Sequence, residues 1–315
     1  AIVSWDIQSG KDTVQLGGLW DMFTANPFTV LDQTGHMPYT ESSRHLGKAL
    51  PETDRLRSLY IRDGKYYPDW IGKLEKDGKT GVNSADKQGF FAWEKGPGKP
   101  SHVYDPASDK YTDICEISRN DFWSVFNAAA EDKSAGKIKS AESLIKVVNA
   151  DDAGGIAFRR YVLPICLYTL DMIQDGYATP GQINICTRAG LRFKVGIIEF
   201  IDAMIKHFSV PGLLDLVRRA REENADDKYM LDMLDCDGKS GPRKGIPCLL
   251  HDMKKKNVKQ LLGYGKYYRT PVAEYNFCTG NYDGCYPEMK FYSPTPKDRV
   301  ASIVMACPMR GNVFN

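Results

Sequence analysis

Apolar residues recur at helical spacing through the middle of the chain, and much less regularly before residue 115. Phe122, Trp123, Val125, Phe126 and Ala129 follow Ser118, a residue type suited to an N-cap, and predict a first helix. Ile138, Ala141, Leu144, Ile145 and Val148 form a second amphipathic stretch. Pro164 starts or kinks a third, carrying Ile165, Leu167, Leu170 and Met172, with turns at Gly176 and Pro180-Gly181 beyond it. Ile197, Ile198, Ile201, Met204, Ile205 and Phe208 predict a strongly apolar fourth helix. Pro211 then opens another through Leu213, Leu214, Leu216, Val217 and Ala220. A short helix ending near Leu234 and one from Pro247 to Leu262, capped by Gly263, complete the set. Beyond Gly263 the chain is aromatic and rich in Gly and Pro, with one strand expected over Val300 to Ala306.

The first region reads differently. Asp77-Gly78-Lys79-Thr80-Gly81 and Gly96-Pro97-Gly98-Lys99-Pro100 are turn chemistry. Arg57 to Ile61 and Phe90-Phe91-Ala92-Trp93 suit short strands or short helices. The expected fold is therefore mainly α, of the α+β kind. A helical, cysteine-bearing C-terminal region of six to seven helices (115–315) carries a loop-rich, tryptophan-containing N-terminal region (1–114) packed on it, with room for a small sheet. With few periodic apolar faces of its own, the N-terminal region is expected to cover its tryptophans on the helical one.

Cysteine placement sharpens the division. All eight cysteines lie from Cys115 onward, and the five tryptophans at Trp5, Trp20, Trp70, Trp93 and Trp123. An even cysteine count, in a sequence opening Ala-Ile-Val, leads us to expect an exported protein in an oxidising compartment: secreted, periplasmic, lumenal or virion. Reduced thiols in a cytosolic protein are the other account, since Cys is often buried even when free. Under export, four bridges are expected: Cys278 with Cys285 across a turn, Cys236 with Cys248 around a Gly/Pro loop, Cys166 with Cys186, and Cys115 with Cys307.

Composition excludes some functions. A chain of 315 residues, 42% hydrophobic and 26% charged, has ample core to fold without crosslinks. A net charge of +2, with Lys254, Lys255, Lys256 and Lys259 as the best cationic cluster, argues against nucleic acid as a partner. The longest apolar run, Tyr161 to Leu170, is stopped by Asp171 and falls short of the ~18 residues a membrane span needs. No Asn-x-Ser/Thr sequon occurs.

Candidate chemistry is sparse. No Cys-x-x-Cys and no His-Glu-x-x-His is present, which removes thioredoxin-type redox chemistry and the common zinc motifs. Gly72 lies one residue too far from Gly78-Lys79-Thr80 for a phosphate loop. Asp235-Cys236-Asp237-Gly238 starts like a calcium loop, but Ile246 stands where a bidentate Glu belongs, leaving Asp235 and Asp237 as ligands of an irregular calcium site. Cys248-Leu-Leu-His251-Asp252 resembles part of the secreted phospholipase A2 signature. That resemblance implies His251 as the water-activating base and Asp252 as a calcium ligand. The doubled cysteine and full glycine loop of that family are missing, and Met253-Lys254-Lys255 replaces its next residues. A carboxylate pair for glycoside hydrolysis has no sequence signature of its own, and Trp70, Trp93, Tyr66, Tyr67 and Tyr104 suit either sugar stacking or core anchoring.

Two functions follow. The first is a non-catalytic binding or structural component of an extracellular, virion or lumenal assembly, with protein partners or self-assembly. The alternative is an exported hydrolase acting on a polymer or lipid through carboxylates or His251.

Overall fold

The computed structural model describes residues 27–94, 100–117, 122, 124–137, 139–191, 193–264, 271–277, 281–284, 289–292 and 302–305. It is mainly helical with small antiparallel sheets, in line with the sequence pattern.

The N-terminal region is more helical than its turn-rich sequence suggests. It contains α1 (Pro27–Thr34), α2 (Met37–Ala49), α3 (Arg57–Tyr60) and α4 (Asp69–Lys76). α1, α3 and α4 are too short to declare themselves by long apolar periodicity, α4 burying only Trp70, Ile71 and Leu74; α2 is longer but buries Thr40, Ser43 and Gly47 rather than an apolar stripe. Strands β1 (Phe91–Ala92), β2 (His102–Asp105) and β3 (Lys110–Asp113) form an antiparallel sheet in sequential order. Val103 stands opposite Phe91 on one side and Thr112 on the other.

Asp32 is the fastener of this region. Its side chain, 1% exposed, accepts from the backbone N–H groups of Phe90 and Phe91 at 2.8 and 2.9 Å and from Trp93 Nε1 at 2.8 Å. His36 Nε2 completes the shell at 2.9 Å. A buried carboxylate is tolerated because donors saturate it. The close fit demands glycine at position 81, where φ is +118° and a Cβ would fall 2.0 Å from the Asp32 carbonyl oxygen. Trp70 packs edge-on to Phe90, and Trp93 edge-on to Phe91, with ring centroids 5.6 and 5.9 Å apart. Their aromatic neighbours come from the N-terminal region itself, while Trp70 and Trp93 also belong to the hydrophobic cluster that continues into the helical region. Trp5, Trp20 and Trp123 lie outside the described residues.

From α5 (Ile114–Ile117) the chain becomes a helical assembly: α6 (Ser124–Ser134), α7 (Ser140–Asn149), α8 (Ala153–Gln174), α9 (Pro180–Ile185), α10 (Ile197–Glu222), α11 (Lys228–Met233) and α12 (Leu249–Lys255). Pro164 lies inside α8. Ser209, at φ 64° and ψ 169°, breaks the backbone of α10 two residues before Pro211, so the two predicted helices run on across a kink. α12 ends six residues after it begins rather than reaching Leu262. Asn257 takes a left-handed conformation, and Val258 N donates to Met253 O at 2.9 Å, closing the helix end. Leu262–Tyr264 instead forms β4, paired with β5 (Pro271–Asn276), which pairs with β6 (Asn281–Gly284). β7 (Met289–Tyr292) and β8 (Ser302–Met305) form a hairpin pair, the latter within the strand predicted there.

One hydrophobic cluster runs through both regions, from Phe28, Trp70 and Phe90 to Leu170, Met204 and Leu262. Arg55 crosses the boundary within it. Its guanidinium, in a side chain 0% exposed, donates from Nε to Asp171 Oδ2 on α8 at 2.7 Å and from Nη2 to Asp171 Oδ1 at 3.3 Å. Nη1 donates to the carbonyls of Met233 and Asp235, both at 2.8 Å.

Removing one partner of such a buried pair leaves an uncompensated charge. Arg55→Ala is expected to lower unfolding free energy by about 3–5 kcal/mol, and Arg55→Lys to recover only part of it, because an ammonium lacks the planar fork. Denaturant titration measures this, and a loss below about 1 kcal/mol would show Arg55 to be dispensable. The shared core also implies that residues 1–114 expressed alone give no cooperative thermal transition by circular dichroism. A sharp transition would mark them as an independent domain.

Candidate functional site

The segment between α11 and α12 gathers the sequence's chemical candidates. α11 delivers Leu234, Asp235 and Cys236; the chain loops through residues 237–247; Cys248 immediately precedes α12. Cys236 and Cys248 are joined by a disulfide across a separation of 12 residues, with Cα atoms 4.8 Å apart, as the sequence pairing proposed.

The loop is braced independently of that bond. Cys248 N donates to Cys236 O, and Gly245 N to Gly238 O, each at 2.8 Å. Gly238 has φ +67°, and a Cβ there would sit 2.8 Å from the Ile246 carbonyl carbon, so the turn requires glycine. Asp235 is buried; Oδ1 accepts from Arg221 Nη1 on α10 and Oδ2 from Ser240 N, both at 2.8 Å. From the far side of the loop, Arg243 reaches α8, donating from Nη1 to Asp175 Oδ2 at 2.6 Å, with Nε 3.6 Å from Asp171 Oδ1.

His251 lies on the first turn of α12, about one-third exposed, with Nε2 3.1 Å from Asp237 Oδ1. Lys239 Nζ stands 3.4 Å from the other oxygen, Asp237 Oδ2. Burial pushes the Asp237 carboxyl up, but the hydrogen bond and charge of Lys239, with His251 and Arg218 nearby, outweigh it and hold the carboxyl below its ordinary range. Asp252 faces a different partner, Lys256, at 3.0 Å along the same helix. Thus the structure joins His251 to Asp237 rather than to Asp252, and it turns Asp235 to an arginine and a backbone amide. Asp235, Asp237 and Asp252 each have their own partners. The most compact ligand-type cluster among the described residues is Cys236, Cys248 and His251, whose donor atoms lie within 4.8 Å of one another.

The other cysteines divide. Cys166 and Cys186 are free thiols, which corrects the expected bridge between them. Cys166 lies on the core face of α8 and is buried, whereas Cys186 is exposed just after α9. Burial pushes the Cys166 thiol up, away from the reactive thiolate. Cys115 is exposed on α5. Cys278, Cys285 and Cys307 lie outside the described residues, and with them the other two expected bridges. Trp93 and Tyr104 are buried and Trp70 nearly so, which makes them core anchors rather than a sugar platform.

Pattern reading missed Arg55, Asp171 and Arg243, the charges that position the loop. Asp171 did leave a trace: it closes the apolar run Tyr161 to Leu170, and a lone carboxylate on an apolar helix face implies a buried partner. No helix among the described residues is long and apolar enough to cross a membrane. No protein family matches the chain, and no curated protein matches it in sequence.

In denatured but unreduced protein, alkylation is expected to label Cys166 and Cys186 and to leave the Cys236 and Cys248 peptides crosslinked. Peptide mass mapping reads the outcome. Labelling at Cys236 or Cys248 would remove the bridge from the site.

Proposed function

We propose that this disulfide-stabilised protein is a non-catalytic binding or structural component of an extracellular, virion or lumenal assembly, working in an oxidising compartment. One observation carries the reading: the most deeply buried carboxylates are spent on architecture. Asp32 and Asp202 each accept from two backbone amides, Asp171 holds Arg55, and Asp235 holds Arg221 and Ser240 N. A catalytic acid or base needs a carboxylate left available to substrate in a cleft, often with its proton affinity tuned for the task. Groups that are saturated by backbone and arginine donors serve rigidity instead, as an assembly subunit requires.

The His251–Asp237 contact favours one second reading. An imidazole oriented by a carboxylate is the basic half of a hydrolase, and the alternative of an exported hydrolase acting through His251 rests on that pair.

Light scattering of the native protein after size exclusion separates the two. The assembly reading expects a mass of several chains, or of the chain with a protein partner. A monomer that cleaves phospholipid or glycan substrates, and loses this activity in a folded His251→Ala variant, would replace it with the hydrolase.

A further inference from the structure

The bridged loop holds metal-ligand chemistry that its disulfide form does not use. Sγ of Cys236, Sγ of Cys248 and a ring nitrogen of His251 lie within 4.8 Å of one another. Donor atoms around a tetrahedral zinc ion are themselves roughly 3.3–3.8 Å apart, a spacing the two bonded sulfurs reach only when the disulfide opens and they separate around an ion. Two sulfurs and an imidazole are a soft donor set that favours zinc-class ions over calcium or magnesium. The sulfurs belong to buried residues, while His251 is about one-third exposed, which leaves an open side for a metal to enter and for water to complete its coordination.

The backbone that presents these groups is held by contacts besides the crosslink. The Cys248 N–Cys236 O bond, the Gly245 N–Gly238 O bond, the Ser240 N bond to Asp235 and the Arg243 contact to Asp175 hold the loop from four directions. Opening the disulfide therefore leaves two thiols and an imidazole converging at one place. Asp237 is a positioning residue here, with Oδ1 3.1 Å from His251 Nε2. That contact holds the imidazole ring in place beside the two sulfurs.

We propose that reduction of the Cys236–Cys248 bridge converts the loop into a binding site for one zinc-class divalent ion, held by Cys236, Cys248 and His251. The reductant is a dithiol. It gives two electrons and two protons to the Cys236–Cys248 bond and leaves as its own disulfide; the ion then displaces both thiol protons to water. The loop thus has two alternative staples, the covalent one in the oxidising compartment proposed above and the metallic one wherever a dithiol reduces the bond.

The test uses the full chain, reduced and freed of reductant without oxygen, then titrated with zinc or cobalt(II). Reduced protein is expected to take up one equivalent, to show thiolate-to-cobalt charge transfer with tetrahedral visible bands, and to melt at a higher temperature with zinc present. Unreduced protein should do none of these. Cys248→Ser should lose the charge-transfer intensity of this site, and Asp237→Asn should bind about 10–100-fold more weakly. Cys186→Ser should bind as the parent does. His251→Gln keeps both sulfurs and should lose the tetrahedral bands, which preserves the test should Cys248→Ser fail to fold by circular dichroism. Absence of metal uptake by the reduced chain overturns the proposal, as do cobalt spectra that survive both Cys248→Ser and His251→Gln.

Discussion

The Arg55 guanidinium is the contact on which the rest of the structure turns. Its fork holds both oxygens of Asp171 on α8, and its remaining donors take the carbonyls of Met233 and Asp235. One side chain therefore sets how the N-terminal region meets the helical assembly and where the stem of the Cys236–Cys248 loop begins. Taking two charges out of water carries a desolvation cost that only close geometry and full hydrogen bonding offset. The arrangement therefore contributes more to a single defined docking than to net stability.

The same device recurs where irregular chain must be fixed without long regular elements. Asp32 gathers the Phe90 and Phe91 amides, the Trp93 indole and His36; Asp202, inside the apolar stretch of α10, holds the amides of Leu261 and Leu262 at 2.6 and 3.0 Å. Arg159 uses the reverse polarity, donating from Nη1 to Val148 O at 2.8 Å while pairing with Glu223. Each charge satisfies backbone groups that would otherwise be buried without partners. In this mainly helical fold, several turns and strand ends are tied down by buried charged side chains. Against this background the loop is set apart by its His251 corner, where Cys236, Cys248 and His251 bring their donor atoms within 4.8 Å of one another.

Helices α6, α7, α8 and α10 were legible because their apolar residues repeat along one face, whereas α9 begins at the Pro180-Gly181 pair that reads as a turn. The buried positions Leu144, Ile145 and Val148 of α7, and Ile197, Ile198, Ile201 and Met204 of α10, are the ones the period marks. The end of α12 was misread because Val258, Leu261 and Leu262 continue an apolar rhythm after Asn257 has already reversed the backbone; their burial is completed in a turn and a strand. Most of the N-terminal helices hide by being brief, and α2 hides because the positions it buries, Thr40, Ser43 and Gly47, are not large apolar ones.

The sequence by itself determined the mainly helical class, which follows from local periodicity, and offered Cys236 with Cys248 as a bridge across a short loop, which the fold forms. It could not decide that Cys166 and Cys186 remain thiols, that His251 takes Asp237 rather than its neighbour Asp252, or that Arg55 meets Asp171. Adjacent residues on a helix point about 100° apart, so sequence proximity does not place two side chains together. Partners separated by more than a hundred residues, as Arg55 and Asp171 are, meet only when the packed core brings their elements into contact. Those pairings were decided by tertiary structure, because burial forces each charge to find whichever partner the finished fold puts within reach.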